Sequence, residues 1–170
     1  MLTPAFFDRD CLEAAPELIG KILVMRAPDG TERRLRITET EAYRGETDTA
    51  CHAHVGKTKR NEVLYMAPGT LYVYLCYGVH WLLNVITEKE GVPQGVLIRA
   101  CAGAAGPGRL TKALGVTGAL NRTMLGAGPL SIEDDGCRPE IVRLPRVGIG
   151  YASLEDQARL WRFADAKNHR

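Results

Sequence analysis

The sequence predicts one α/β domain built on antiparallel strands, and three observations carry that prediction. Its 170 residues suit a single domain spanning residues 1–170, long enough to bury about two thirds of the surface its unfolded form exposes. Several short segments alternate apolar and polar residues or are rich in β-branched and aromatic ones, and turn residues bound them. Helical spacing appears only in brief stretches, and no internal repeat or low-complexity linker divides the chain.

In order along the chain, Asp8 and Asp10 precede Cys11, Leu12, Ala15, Leu18 and Ile19, an apolar set at helical spacing that Gly20 ends. Lys21 to Arg26 alternates around Ile22 and Val24, Pro28-Asp29-Gly30 supplies a turn, and Leu35 to Glu41 alternates again. The result is a hairpin that delivers Glu41. Tyr43 to Asn61 is polar and lacks an apolar face, so it reads as a loop with at most a short helix, of a length that usually carries function. Thr70 to Ile86 is the strongest β signal: Leu71 to Cys76 and Val79 to Ile86 flank Tyr77-Gly78, a protruding hairpin with an aromatic at its tip. Gly95 to Ala100 is another strand, Arg109 to Leu114 starts a helix, and Pro129 to Glu133 is extended. Arg143 to Tyr151 reads as a final strand and glycine turn, and Ser153 to Arg162 as helical.

Composition excludes more than it identifies. Hydrophobic residues make up 45% and charged residues 25%, and no apolar run nears the roughly 20 residues that span a bilayer. Met1 to Asp8 has no basic stretch followed by an apolar core, so the expected location is cytoplasmic, with no membrane partner. Cys11, Cys51, Cys76, Cys101 and Cys137 form no C-x-x-C pair, which argues against a disulfide framework and against a thiolate zinc site. A net charge of +2 and a pI of 8.3 fall short of the pI above about 9 that marks a basic nucleic-acid footprint. Charge alone does not point to DNA.

Three constellations could carry chemistry. Glu39, Glu41 and Tyr43 share one face of their strand, and two carboxylates with a phenol persist in such a place when they are paired or catalytic. A solvated edge with the carboxylates paired to Arg34 or Arg36 would have the same spacing. Tyr72 and Tyr74 share a face of the second hairpin and Tyr77 sits at its turn. They read either as ordinary sheet aromatics or as base-stacking groups with a wedge at the tip. Cys51-His52-Ala53-His54 resembles a metal tract, but no second ligand cluster accompanies it, and no metal is expected. Lys57, Lys59 and Arg60 just beyond would suit phosphates or a solvated loop equally.

Taken in order, Arg36 to Tyr43, Thr70 to Gly78, Val96 to Ala100, Gly106-Pro107-Gly108-Arg109-Leu110 and Arg146-Val147-Gly148-Ile149-Gly150 resemble the alkyladenine (3-methyladenine) DNA glycosylase family. The likeness is collinear from about Leu2 to Phe163, and the pairing of Glu39-Thr40-Glu41-Ala42-Tyr43 with the tyrosine hairpin is its most specific part. It departs from the family at His80, at Trp81 and at Thr117-Gly118, where a lysine is expected.

The resemblance implies a single compact domain around a curved antiparallel sheet, a double-stranded DNA partner containing damaged purines, action as a monomer, and no cofactor. It implies that the damaged nucleotide is flipped out of the duplex, because a stacked base cannot be reached. Glu41 matches the general base, with Arg99 and the Val147 carbonyl positioning water and Arg99 helping to keep Glu41 ionised. Tyr43, His52 and Tyr74 match an aromatic sandwich suited to a cationic alkylated purine, Leu97 part of the pocket wall, and Asn84 the group that rejects guanine. Tyr77 matches the intercalating residue with Val79 beside it, while Lys57, Thr58, Arg60 and Arg109 fall where phosphate contacts are expected. No lysine stands at a matching nucleophile position, which implies hydrolysis without strand cleavage. A nucleoside N-glycoside hydrolase and a non-catalytic damage-binding module are the alternatives. An exposed Tyr77 tip argues against the first, and Glu41 with Arg99 against the second.

Overall fold

The order of elements follows from where the apolar faces can meet. A computed structural model describes residues 1–168. It begins with two short helices, α1 (Pro4–Phe7) and α2 (Cys11–Glu17), the latter capped by the Asp10 carboxylate accepting from the Leu12 N–H. The expected helix is therefore shorter than its apolar pattern. Leu18 and Ile19 lie in the turn after it, still fully packed into the core.

Strands β1 (Ile22–Arg26) and β2 (Glu32–Tyr43) form the expected first hairpin. The long loop that follows holds three one-turn 3-10 helices, at Gly45–Thr47, His52–Val55 and Glu62–Tyr65. Strands β3 (Leu71–Cys76) and β4 (His80–Thr87) form the second hairpin, and β5 (Gln94–Cys101) pairs with β4 and β2. A two-residue strand β6 (Ala104–Ala105) leads into helix α3 (Pro107–Leu114), then come β7 (Leu130–Glu133), β8 (Ile141–Leu144), helix α4 (Leu154–Ala158) and β9 (Arg162–Asp165).

All the pairs are antiparallel, in the order β3-β4-β5-β2-β1-β7, with β9 joining β2 and β8 joining β9. The antiparallel α/β architecture is thus as the sequence predicts, but its C-terminal end is not. The strand expected at Arg143 ends at Leu144, the helix expected to reach Arg162 is only five residues long, and the last strand begins at Arg162 itself. Arg159 closes α4 in an extended conformation, which turns Phe163 and Ala164 onto the open edge of β2.

The main core lies between the sheet and α2 and α3, filled by Leu18, Ile37, Leu83, Val96, Ile98, Leu110 and Phe163 among others. On β2, Thr40 and Ala42 face it, with the Thr40 hydroxyl donating to the Ala15 carbonyl of α2. Glu41 between them and Glu39 just before them therefore face the other side. Two of the departures from the family pattern, His80 and Trp81, are packed against glycines. A Cβ at Gly118 would come within 2.6 Å of the Trp81 ring, and one at Gly108 within 2.8 Å of the His80 ring.

Candidate active site

Strand alternation puts Glu39, Glu41 and Tyr43 together on the side of β2 away from α2, as predicted, although a register irregularity lies beside Glu39. The competing ion pairing does not occur: Arg34 binds Glu32 and Glu133, and Arg36 binds Asp135. Arg99 on β5 reaches both carboxylates instead, its Nε 3.1 Å from Glu39 Oε1 and 3.5 Å from Glu41 Oε1. Arg162 on β9 completes the group, 2.6 Å from Glu39 Oε1, while its Nε donates to the Pro145 carbonyl.

The Glu41 side chain is 0% exposed. The backbone N–H of Val147 donates to its Oε1 at 2.9 Å and the Tyr43 hydroxyl donates to its Oε2 at 2.8 Å. Burial raises the Glu41 pKa above the ordinary carboxylate value, more than the Arg99 charge and these two hydrogen bonds lower it. Arg99 does pull toward the ionised form, as expected, but desolvation outweighs it. Burial and the neighbouring Glu41 charge push the Tyr43 phenol far up, so Tyr43 stays a neutral donor.

Beside this carboxylate two spaces meet. A cleft of about 400 Å³ is bordered by Glu41, Arg99, Leu97, Val147, Arg60 and the Tyr77 tip. A narrow slot of about 40 Å³ lies between Tyr43, Tyr74 and His52, with Tyr72 and Asn84 further in. Tyr43, His52 and Tyr74 border both. The His52 and Tyr74 rings meet edge to face at 4.8 Å, and His52 Nδ1 lies 2.9 Å from the Tyr72 hydroxyl. Burial, helped by Arg60, lowers the His52 pKa, so the ring is neutral at pH 7. Asn84 donates from its amide to the Tyr72 carbonyl at 3.1 Å, which fixes the side chain. Tyr72 is buried like an ordinary sheet aromatic.

The hairpin tip is the opposite of the slot. Tyr77 is 94% exposed and Val79 68%. Tyr77 and Gly78 both take positive φ, 51° and 67°, in a turn closed by the Val79 N–H donating to the Cys76 carbonyl. A left-handed tyrosine is uncommon, and nothing in its own packing rewards it.

The outlying basic residues are less tightly placed. Lys57, Thr58 and Arg60 are exposed on the loop beside the slot, where Thr58 is bonded to Asn61 and the Lys57 ammonium lies 5.3 Å from the Tyr65 ring centre. Arg109 is exposed in the first turn of α3, next to Pro107, which borders the cleft. The Cys51-His52-Ala53-His54 tract brings no ligands together: Cys51 is buried, His52 is tied to Tyr72 and His54 to the Glu46 carbonyl. No group of three His, Cys, Asp or Glu suited to a metal occurs among the described residues. Nor is any helix among them long and apolar enough to cross a membrane.

The residues that sequence reasoning missed lie behind the site. Arg146 and Asp48 form an ion pair with both side chains fully buried, at 2.6 and 2.8 Å. The same guanidinium donates to the Ala42 carbonyl and lies 4.9 Å from the Tyr43 ring centre and 5.0 Å from that of Trp161. It thus anchors the chain one residue before the Val147 N–H that contacts Glu41. The glycine-rich motif around Arg146 was the available signal, but nothing in it names Asp48 as partner.

Comparison with known proteins shows which family the chain is similar to. The family model for methylpurine-DNA glycosylase matches residues 5–103 and 102–169. A protein of Methanocella arvoryzae is 45% identical over 181 residues, covering 94% of this chain and 90% of that one. One of Myxococcus xanthus is 42% identical over 174 residues, covering 94% and 89%. Both carry 3-methyladenine DNA glycosylase as a provisional name. The DNA-3-methyladenine glycosylase of Arabidopsis thaliana is 40% identical over 188 residues, covering 98% of this chain and 72% of its own length.

Proposed function

This chain belongs to the methylpurine-DNA glycosylase family, and from that premise we propose that it excises 3-methyladenine from duplex DNA by hydrolysing the N-glycosidic bond, leaving an abasic site in an uncut strand. The observation that carries the reading is Glu41, a fully buried carboxylate held by Val147, Arg99 and Tyr43 where a narrow aromatic-walled slot meets a wider cleft.

In this reading the flipped base enters the slot and its sugar occupies the cleft. A cationic methylated purine stacks favourably on the neutral rings of Tyr43, Tyr74 and His52. Asn84, held by the Tyr72 carbonyl, stands in the slot against the exocyclic amine of guanine, and Leu97 forms part of the wall. As the base departs the sugar gains positive charge. Ionised Glu41 stabilises that charge and takes a proton from the attacking water, while Arg99 and the Val147 backbone orient the reactants. Among the described residues no lysine borders the cleft, which favours direct hydrolysis over an imine route and strand cleavage.

Tyr77, with Val79 beside it, fills the gap left in the duplex, and Lys57, Thr58, Arg60 and Arg109 contact phosphates. The protein acts as a monomer in the cytoplasm. Its slot also admits 7-methylguanine, hypoxanthine and ethenoadenine, whose flat purine frames suit the same stacking walls.

The test compares base release from a 3-methyladenine duplex with release from the same lesion as a free nucleoside. Release from the duplex alone, with the strand intact, is expected. Equal release from the nucleoside would make the protein a nucleoside hydrolase, and binding without release would make it a damage-binding module.

A further inference from the structure

Tyr151 has no role in the chemistry described so far, yet it borders both the slot and the cleft, as well as a neighbouring groove of about 440 Å³ also lined by His52. It is 69% exposed, and its hydroxyl is already engaged: the phenol donates to the Ala50 carbonyl at 2.8 Å. The hydroxyl is therefore committed to the protein, while the ring remains open to whatever enters the site.

The backbone carrying Tyr151 is fastened on both sides to the segment opposite. Arg146 binds Asp48 ahead of it, and behind it the Ser153 N–H donates to the Thr49 hydroxyl while Asp156 accepts from the Thr49 N–H. Ile149 and Ala152, two residues before and one after, are buried against Ala50 beside Tyr43. A ring on so fixed a backbone, anchored at its para position, is a pre-organised surface. Little ordering entropy remains to be lost when a ligand stacks on it.

We propose that Tyr151 is a further substrate-contacting residue of this enzyme, a fourth aromatic wall that lies against the flipped nucleotide where its base meets its sugar. The proposal rests on the glycosylase reading above and deepens it. Tyr43, Tyr74 and His52 bound the base, whereas among the described aromatic side chains bordering the slot, the cleft and the groove Tyr151 alone is both largely exposed and anchored through its hydroxyl. At the junction its ring shields the breaking bond from bulk water and fixes the angle between base and sugar. Neutral lesions depend most on this, because their glycosidic bonds are the less labile and need the better alignment.

The experiment measures single-turnover release of hypoxanthine and of 7-methylguanine from matched duplexes by the wild type, Tyr151→Ala and Tyr151→Phe, with thermal unfolding of each protein in parallel. Tyr151→Ala should slow hypoxanthine release roughly five- to a hundredfold, the range lost with one base–aromatic stack, and slow 7-methylguanine release less. Tyr151→Phe, which keeps the ring, should stay within about threefold of the wild type on that same scale. An active wild type matched within twofold by Tyr151→Ala would overturn the proposal. So would a folded Tyr151→Phe as slow as Tyr151→Ala, since the hydroxyl and not the ring would then matter, or equal slowing of both lesions. A wild type that releases 3-methyladenine but neither of these bases overturns this proposal and keeps the glycosylase reading, whereas one that fails to release 3-methyladenine as well defeats that reading and this proposal with it.

Discussion

The Glu41 site and the tip of the β3–β4 hairpin depart from ordinary burial in opposite directions. At the first, an ionisable carboxylate is withdrawn from solvent and surrounded by donors. At the second, Tyr77 and Val79 are pushed out into water on a turn whose positive φ no core contact rewards. Each is unfavourable in the free protein, and under the proposed function each would become favourable when duplex DNA supplies what is missing: a developing cation for the carboxylate and an apolar stack for the tyrosine. The two regions also differ in rigidity. The carboxylate is braced by strands β2, β5 and β9 and by the buried Arg146–Asp48 pair, whereas the tip hangs on a single hairpin.

The brace is where the largest effect is expected. Asp48→Ala leaves the Arg146 guanidinium buried without its carboxylate, and removing one member of a buried pair costs about 3–5 kcal/mol. That is a large share of the roughly 5–15 kcal/mol of a typical domain, and a urea titration should show the midpoint fall sharply. An unchanged midpoint would mean that the pair does not brace the site.

At the other region, Tyr77→Ala should leave the urea midpoint alone and slow excision of a well-paired lesion by about ten- to a hundredfold, because the wedge offsets a few kcal/mol of unstacking. Mismatched lesions should suffer less. Equal slowing of both would remove the wedge role and, with it, the contrast between braced site and yielding tip.

A smaller change sharpens the slot itself. Asn84→Ser removes bulk opposite a guanine amine, so guanine release should rise a few-fold relative to hypoxanthine, roughly the discrimination one small steric group provides. A ratio equal to that of the wild type assigns gatekeeping elsewhere.

The smallest signal is thermal. Glu41 has a folded pKa raised above its unfolded value, so its protonated form favours folding. That contribution is complete below the unfolded value of about 4.5 and is lost as pH rises through the folded one. Glu41→Gln should therefore melt slightly above the wild type at pH 7, and the gap should close below about pH 4.5. A variant that melts lower at pH 7 would show that burial of the charge carries no such cost.

Much of this arrangement was legible because it is local. Alternation in Leu35 to Glu41 and in Thr70 to Ile86 fixes two hairpins, and i, i+2 spacing puts Glu39, Glu41 and Tyr43 on one face whatever lies around them. What stayed hidden is long-range. Asp48 and Arg146 are 98 positions apart, and Arg162 reaches Glu39 across 123, so no spacing rule joins them. The strand at Arg162–Asp165 is four residues long and follows a helical pattern, too short to declare itself. The sign of the Glu41 shift depends on burial, which the sequence does not carry; from charges alone, Arg99 looks decisive. Tyr151 was overlooked because its glycine-rich surroundings read as a turn, and only the folded loop brings its ring to the slot.

The central claim is that Glu41, buried and ionised, activates water, and single-turnover release of 3-methyladenine from duplex DNA as a function of pH tests it most directly. The wild-type rate should climb with pH through a midpoint above the ordinary carboxylate value, in the direction of the Glu41 shift. Glu41→Gln should bind the lesion duplex as before, release base about 10²-fold more slowly or worse, and show no such climb. A Glu41→Gln profile that overlays the wild type would contradict it.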